Sequence, residues 1–212
     1  GKTIADMYKI SCAGGGVGFN FSKIRPKGDD IQNIQWSAPG SISVMKMINE
    51  IGEHVRAGKN RRTALMSILE VSHPDFLEFL SVKLDRKELT NFNISVAINN
   101  RFISAVENDE DWHFTFAGRH NKYFCYNVER TNEKGEVDNV MVVAKDEDDA
   151  VGRADQNHKV GWTDTFANAV LSPLKAKDIW ERLLDNAVES GEPGIFNVDL
   201  ANEFTNVSYF EE

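Results

Sequence analysis

The chain has 212 residues, 41% hydrophobic and 27% charged, enough for one ordinary domain with a real core. Its net charge of −9 repels phosphate backbones and excludes general nucleic-acid binding, so any phosphate site must be local, built from backbone N–H groups and a few Arg or Lys. No run of about 18 apolar residues and no signal-peptide pattern occurs, so no transmembrane helix is expected; Cys12 and Cys125 form neither a CxxC nor a zinc spacing, and a reducing cytoplasm is the expected setting.

Ile4 to Ile10 reads as a short helix with Ile4, Met7, Tyr8 and Ile10 as its apolar positions. The run Gly14-Gly15-Gly16-Val17-Gly18 breaks it, and Val17 to Phe21 alternates with period two, as a strand does. Ser22 to Pro39 carries Pro, Gly and charges, and reads as a long loop. A helix is expected from Ser41 to Arg56, with Ile42, Met45, Ile48, Ile51 and Val55 on its apolar face and Gly58 placed to end it. Gly58 to Thr63 is a basic loop, and Ala64 to Val71 a buried strand. Pro74 opens another helix, Asn91 to Ile98 is a strand, and Asn100 to Glu107 a short helix. Strands alternating with helices over long crossovers argue for parallel strands in an α/β fold.

Thr115 to Pro173 departs from that alternation. Tyr123 to Arg130 and Val137 to Ala144 predict a hairpin, and Asp146 to Lys159 a helix with carboxylates at its positive end. This block reads as a small α+β excursion. Lys175 to Val188 returns to a helix, with Ala176, Ile179, Trp180, Leu183, Leu184 and Ala187 on one face and Gly191 and Pro193 as its stop; Gly194 to Leu200 reads as a strand. Cys125, Trp180, Met45 and Met47 are expected in the core.

Three features could carry chemistry. The glycine run lets a group approach the backbone closely, or else makes a crowded turn. Lys59, Arg61 and Arg62 could read phosphate or base, or else offset a helix dipole; Arg25 and Lys27 have the same two readings. Gly1-Lys2-Thr3 matches the end of a phosphate-binding P-loop, or an ordinary helix start. The five His show no ligand spacing, so no metal site is expected, and neither cysteine has a His nearby to make a nucleophile.

Taken together, Gly14 to Gly28 (GGGVGFNFSKIRPKG), Ala57 to Ala64 (AGKNRRTA), His73 to Phe79 (HPDFLEF), Asn91 to Val96 (NFNISV) and Gly191 to Asn197 (GEPGIFN) resemble ribonucleotide reductase catalytic subunits, in the family's order and spacing. The likeness covers about 2–111 and 175–212; the excursion and the AGKNRRTA loop are most similar to the adenosylcobalamin-dependent class. The resemblance implies residues 1–212 as part of a ten-stranded α/β barrel, with 115–173 an excursion within it. It implies thiyl-radical reduction of a ribonucleotide 2′-hydroxyl, regulated by deoxynucleotide effectors and fed by a thioredoxin-type reductant. It places Gly15, Gly16 and Arg61 at substrate, and Arg25, Lys59 and Arg62 at effector. Ala57 stands where the family often has Gln, Lys59 where it often has Gly, and Gln32 where it often has Arg. The radical and reducing cysteines are expected outside residues 1–212, so this segment by itself is expected to be inactive, with no catalytic residue assigned to it. Gly1 is not an initiator Met, and the chain reads as an internal segment. The rival reading is a nucleotide sensor without thiol chemistry.

Overall fold

A computed structural model describes residues 1–31, 37–55, 63–84, 88–116, 122–156 and 164–205. The elements run α1 (Lys2–Cys12), β1 (Gly16–Asn20), α2 (Gly40–His54), β2 (Ala64–Glu70), α3 (Phe76–Ser81), β3 (Phe92–Ile98) and α4 (Asn100–Glu107). The excursion follows, with β4 (Asp111–Trp112), β5 (Phe114–Thr115), β6 (Lys122–Thr131), β7 (Val137–Ala144), α5 (Glu147–Gln156), β8 (Thr165–Leu171) and β9 (Leu174–Lys175). The chain continues through α6 (Ala176–Ser190), β10 (Gly194–Asn197) and α7 (Val198–Glu203). None of the helices is long and apolar enough to cross a membrane, among the described residues.

The main sheet has the order β1-β2-β3-β10, and every pair is parallel, as the alternation predicts. It is a mixed α/β fold with an open sheet; closure into a barrel is not seen among the described residues. One face of this sheet is buried. Leu65, Leu69, Phe92, Ile94 and Val96 pack with Ile42 and Met45 of α2, Phe76 and Phe79 of α3, Phe102 of α4 and Ile179 of α6. The other face presents Gly16, Gly18 and Asn20 of β1, Ala64, Met66 and Glu70 of β2, and Asn93 of β3, all exposed.

The excursion leaves and rejoins through the antiparallel pair β4-β9, where Lys175 Nζ meets Asp111 Oδ1 at 2.8 Å. Its sheet places β7 on one side of β6, and β5 and β8 on the other. The long strand β6 contributes buried residues to two cores. Tyr123 and Cys125 join the main core, while Tyr126 and Val128 pack with Ala150 and Ala154 of α5.

Several expectations are corrected. The strand predicted over Gly194 to Leu200 stops at Asn197, whose side chain accepts the Leu200 N–H at 3.0 Å and caps α7. The helix expected to Arg56 ends at His54; Val55 is already extended, so Gly58 is not its stop, and Gly58 itself lies outside the described residues. Met47 is 49% exposed, because the buried stripe of α2 runs through Ile42, Met45 and Ile48 and passes it by. Leu184 of α6 and Tyr8 and Ile10 of α1 are likewise exposed. The strand β8 has no counterpart among the expected elements.

Candidate functional site

The glycine turn sits at the amino end of β1. Gly14 takes φ +83°, a left-handed backbone that glycine adopts at no steric cost, and Gly15 N–H donates to the Ile10 carbonyl at 2.9 Å, which folds the turn back on α1. A Cβ on Gly15 would lie 2.7 Å from Ile10 Cγ2, and one on Gly16 would lie 3.2 Å from the Ala64 carbonyl oxygen. Crowding within the chain therefore accounts for both. Gly18 differs: a Cβ there would meet nothing within 4 Å, and it lies on the open face in register with Met66, itself in register with Asn93. Nothing inside the described chain calls for glycine at that position. The row Gly18–Met66–Asn93, with Asn20 beside it, is a surface of bare backbone, thioether and amide groups on which a planar polar ligand can lie.

The loop that bears Lys59, Arg61 and Arg62 lies outside the described residues, but its anchors do not. Thr63 Oγ1 lies 3.0 Å from the Gly52 carbonyl and 3.1 Å from that of Val55, so one hydroxyl clasps both ends of the loop together. Ala64, the next residue, is in register with Gly16. The structure thus sets the base of the basic loop beside the glycine turn. Arg25 lies beyond the opposite end of β1, in the loop that follows it. Its Nη1 donates to the Asp30 carbonyl within the 22–39 loop. Arg25 and the two glycines are not brought together.

Residues without a sequence assignment build the carboxyl end. Asp75, 5% exposed, accepts Lys27 N–H at 2.9 Å through Oδ1 and Ser41 N–H at 2.7 Å through Oδ2, pinning the loop to the start of α2. His73 Nδ1 accepts the Asp75 N–H at 3.0 Å, which leaves Nε2 to donate to the Ile24 carbonyl at 2.9 Å. That pattern requires the neutral imidazole, so the 3.9 Å approach of Asp75 Oδ2 to Nδ1 is not an ion pair. Burial, the dominant influence, lowers the His73 pKa against the opposing pull of Asp75. The sequence signal for this brace is the His-Pro-Asp triplet before α3.

Cys125 is buried, and desolvation pushes its pKa up to about 12, so it stays protonated; Cys12 is exposed at the end of α1.

A profile described as "Ribonucleotide reductase, barrel domain" matches residues 1–211. The chain belongs to the ribonucleotide reductase barrel-domain family. Over 202 residues, 95% of the chain, this barrel domain is 27% identical to a vitamin B12-dependent ribonucleoside-diphosphate reductase of Thermoplasma acidophilum, of which it covers 20%. It is 37% identical over 106 residues, 50% of the chain, to the like-named protein of Mycobacterium tuberculosis, covering 15% of that protein. It is 27% identical over 96% of the chain to a ribonucleoside-diphosphate reductase large subunit of Caenorhabditis elegans, covering 23%. The barrel domain thus spans about a fifth of the relatives it matches. Among the described residues no group of three or more His, Cys, Asp or Glu could hold a metal ion, and none is assigned to the cofactor that two of these names carry.

Two predictions follow from this geometry. Gly15→Ala forces a shift at Ile10 and destabilises by roughly 1–3 kcal/mol, whereas Gly18→Ala, in open space, stabilises by about 0.5–1 kcal/mol; unfolding midpoints of the two variants should move in opposite directions. The folded protein holds His73 neutral below its ordinary 6.5, while the unfolded chain takes up a proton there. Its contribution is therefore complete above about pH 6.5 and declines on acidification towards the lowered folded value, with a slope of at most about 1.4 kcal/mol per pH unit. Unfolding midpoints of His73→Asn between pH 7 and 5 should show a shallower acid decline than the parent.

Proposed function

We propose that this chain is the nucleotide-recognition part of a catalytic subunit that reduces ribonucleotides to deoxyribonucleotides. The observation that carries the reading is the family match along residues 1–211, supported by relatives named as ribonucleoside-diphosphate reductases. In this reading the four parallel strands are a sector of a ten-stranded barrel and their open face looks inward to substrate. Substrate lies against Gly15, Gly16 and the surface continuing through Gly18, where the amides of Asn20 and Asn93 are placed to hydrogen-bond a base edge or a ribose hydroxyl. Arg61 reaches substrate base or phosphate. Arg25, Lys59 and Arg62 meet the phosphates of a deoxynucleoside triphosphate effector, and the loop based at Val55 and Thr63 carries effector identity to the substrate side.

The physical division of labour is plain. An uncharged glycine surface accepts any base, because it offers backbone and no competing side chain. Arginine on a separate loop then favours one base by presenting planar donors to a particular edge. The chemistry needs reactive thiols, and Cys125 is not one, being buried and protonated. The radical cysteine and the reducing pair belong to other parts of the subunit, and a thioredoxin-type protein restores the pair. Adenosylcobalamin is the radical source we assign, on the names of the Thermoplasma and Mycobacterium relatives, with its seat outside the described residues. A cytoplasmic setting fits free thiols.

The test is ribonucleotide reduction by the full-length protein, with and without adenosylcobalamin, across the deoxynucleotide effectors. Product that requires the cobalamin, a base preference that moves with effector, and loss of that movement in Arg61→Ala are expected. A folded protein that binds nucleotides yet gives no product with any radical source would overturn the reading.

A further inference from the structure

The acidic residue at the centre of the 22–39 loop is held by the excursion. Asp29 is fully buried. Its Oδ1 accepts the Tyr123 hydroxyl at 2.8 Å, meets Lys145 Nζ at 2.7 Å, and lies 3.8 Å from Arg153 Nη2. Tyr123 comes from β6, Lys145 from the turn after β7, and Arg153 from α5. Both cations also pack over the Tyr123 ring, with Lys145 Nζ 5.9 Å and the Arg153 guanidinium 5.5 Å from its centroid. Asp149 completes the set: its Oδ2 accepts Arg153 Nε at 2.8 Å and Lys145 N–H at 2.9 Å. Among the described residues, two carboxylates thus meet two cations around a buried aspartate, whose charge needs such partners.

The backbone of Asp29 meanwhile ties the two arms of the loop together. Gly28 N–H donates to the Ala38 carbonyl at 2.9 Å, Ala38 N–H to the Asp29 carbonyl at 2.8 Å, and Asp30 bridges Ser37. At Gly28, φ is +76° and a Cβ would sit 3.3 Å from Arg153 Cγ, so the arginine stem lies directly on the loop backbone. One residue therefore sets the base of the loop, through its main chain, and fastens that base to the excursion through its side chain.

We propose that Tyr123, Lys145 and Arg153 are positioning residues that act through Asp29, so that the excursion fixes the pose from which the 22–39 loop receives a nucleotide effector. This rests on the reading of that loop as an effector loop. The three groups touch no reacting atom. They hold the loop in the geometry that binding would otherwise have to select, and their loss lowers apparent affinity by the fraction of molecules no longer in that pose. An ion-pair cluster suits this task better than an apolar contact, because the buried carboxylate is satisfied only when it meets its donors in one arrangement.

The experiment uses full-length protein with Tyr123→Phe, which removes one hydrogen bond to the carboxylate, and Asp29→Asn, which removes its charge in the same shape. Two quantities are read: the effector concentration for half-maximal shift of base preference, and hydrogen exchange at the Gly28 and Ala38 amides. For Tyr123→Phe the half-maximal concentration should rise measurably, by up to about tenfold, the factor for one hydrogen bond to a charged group, with effector-free turnover within about twofold. Exchange at the two amides should quicken in both variants. Unchanged exchange in both would overturn the positioning. So would unchanged half-maximal concentrations in a protein whose parent does respond to effectors. A parent with no effector response, but variants with faster exchange at Gly28 and Ala38, would instead overturn the effector reading and leave the clamp between loop and excursion standing.

Discussion

A parallel sheet whose strands follow one another in unreversed order sends every crossover to the same side. The order β1-β2-β3-β10 has no reversal, and right-handed connections then place the crossover helices on one face. That face holds the core, from Met45 on α2 to Phe102 on α4 and Ile179 on α6. The opposite face of β1 and β2 receives no helix from the described chain, although parallel sheets are ordinarily covered on both sides. The site follows from this asymmetry. Glycines on the covered face would leave holes in the core, whereas on the bare face they leave room for a ligand.

The same constraint explains what could be read from the sequence. Helix α2 buries one side of a regular repeat, so Ile42, Met45 and Ile48 stand out by spacing alone, and β2 and β3 are marked by the apolar residues they bury. Strand β8 buries almost nothing. It lies at an edge, it breaks register against Val128 and Glu129, and Asn168 takes φ +52°, so no alternation marks it. The capped turn at Asn197 was hidden because Ile195 and Phe196 carry strand character right up to it, while the cap is a single side chain. Gly15 and Gly16 were legible as unusual, but their reason was not: it lies in Ile10 and Ala64, one of them 48 residues beyond Gly16. Gly18, whose surroundings are open, looks in sequence like the least of the four.

The polar framework was the least legible part. Asp29 sits in a stretch of mixed charge that resembles any solvated loop, and Lys145 and Arg153 resemble the flanks of an exposed helix. Their partners are set by the docking of the excursion, which no spacing within the chain encodes. Asp75 is similar: its two oxygens serve two backbone donors from Lys27 and Ser41, far away in sequence. Buried carboxylates of this kind hold irregular backbone in place because each oxygen answers a main-chain donor that would otherwise have no acceptor. The excursion is consequently integral to the molecule. Its Tyr123 and Cys125 complete the main core on one side, and its charged residues brace a loop on the other.

The contrast between the two thiols makes the chain its own reporter. Cys125 is enclosed, with burial pushing its thiol pKa up to about 12, whereas Cys12 stands in solvent, two residues from Gly14. Within this segment, a thiol-directed fluorophore or spin label should settle on Cys12, beside the turn that borders the bare face. Events at that surface could then be followed optically without introducing a foreign residue.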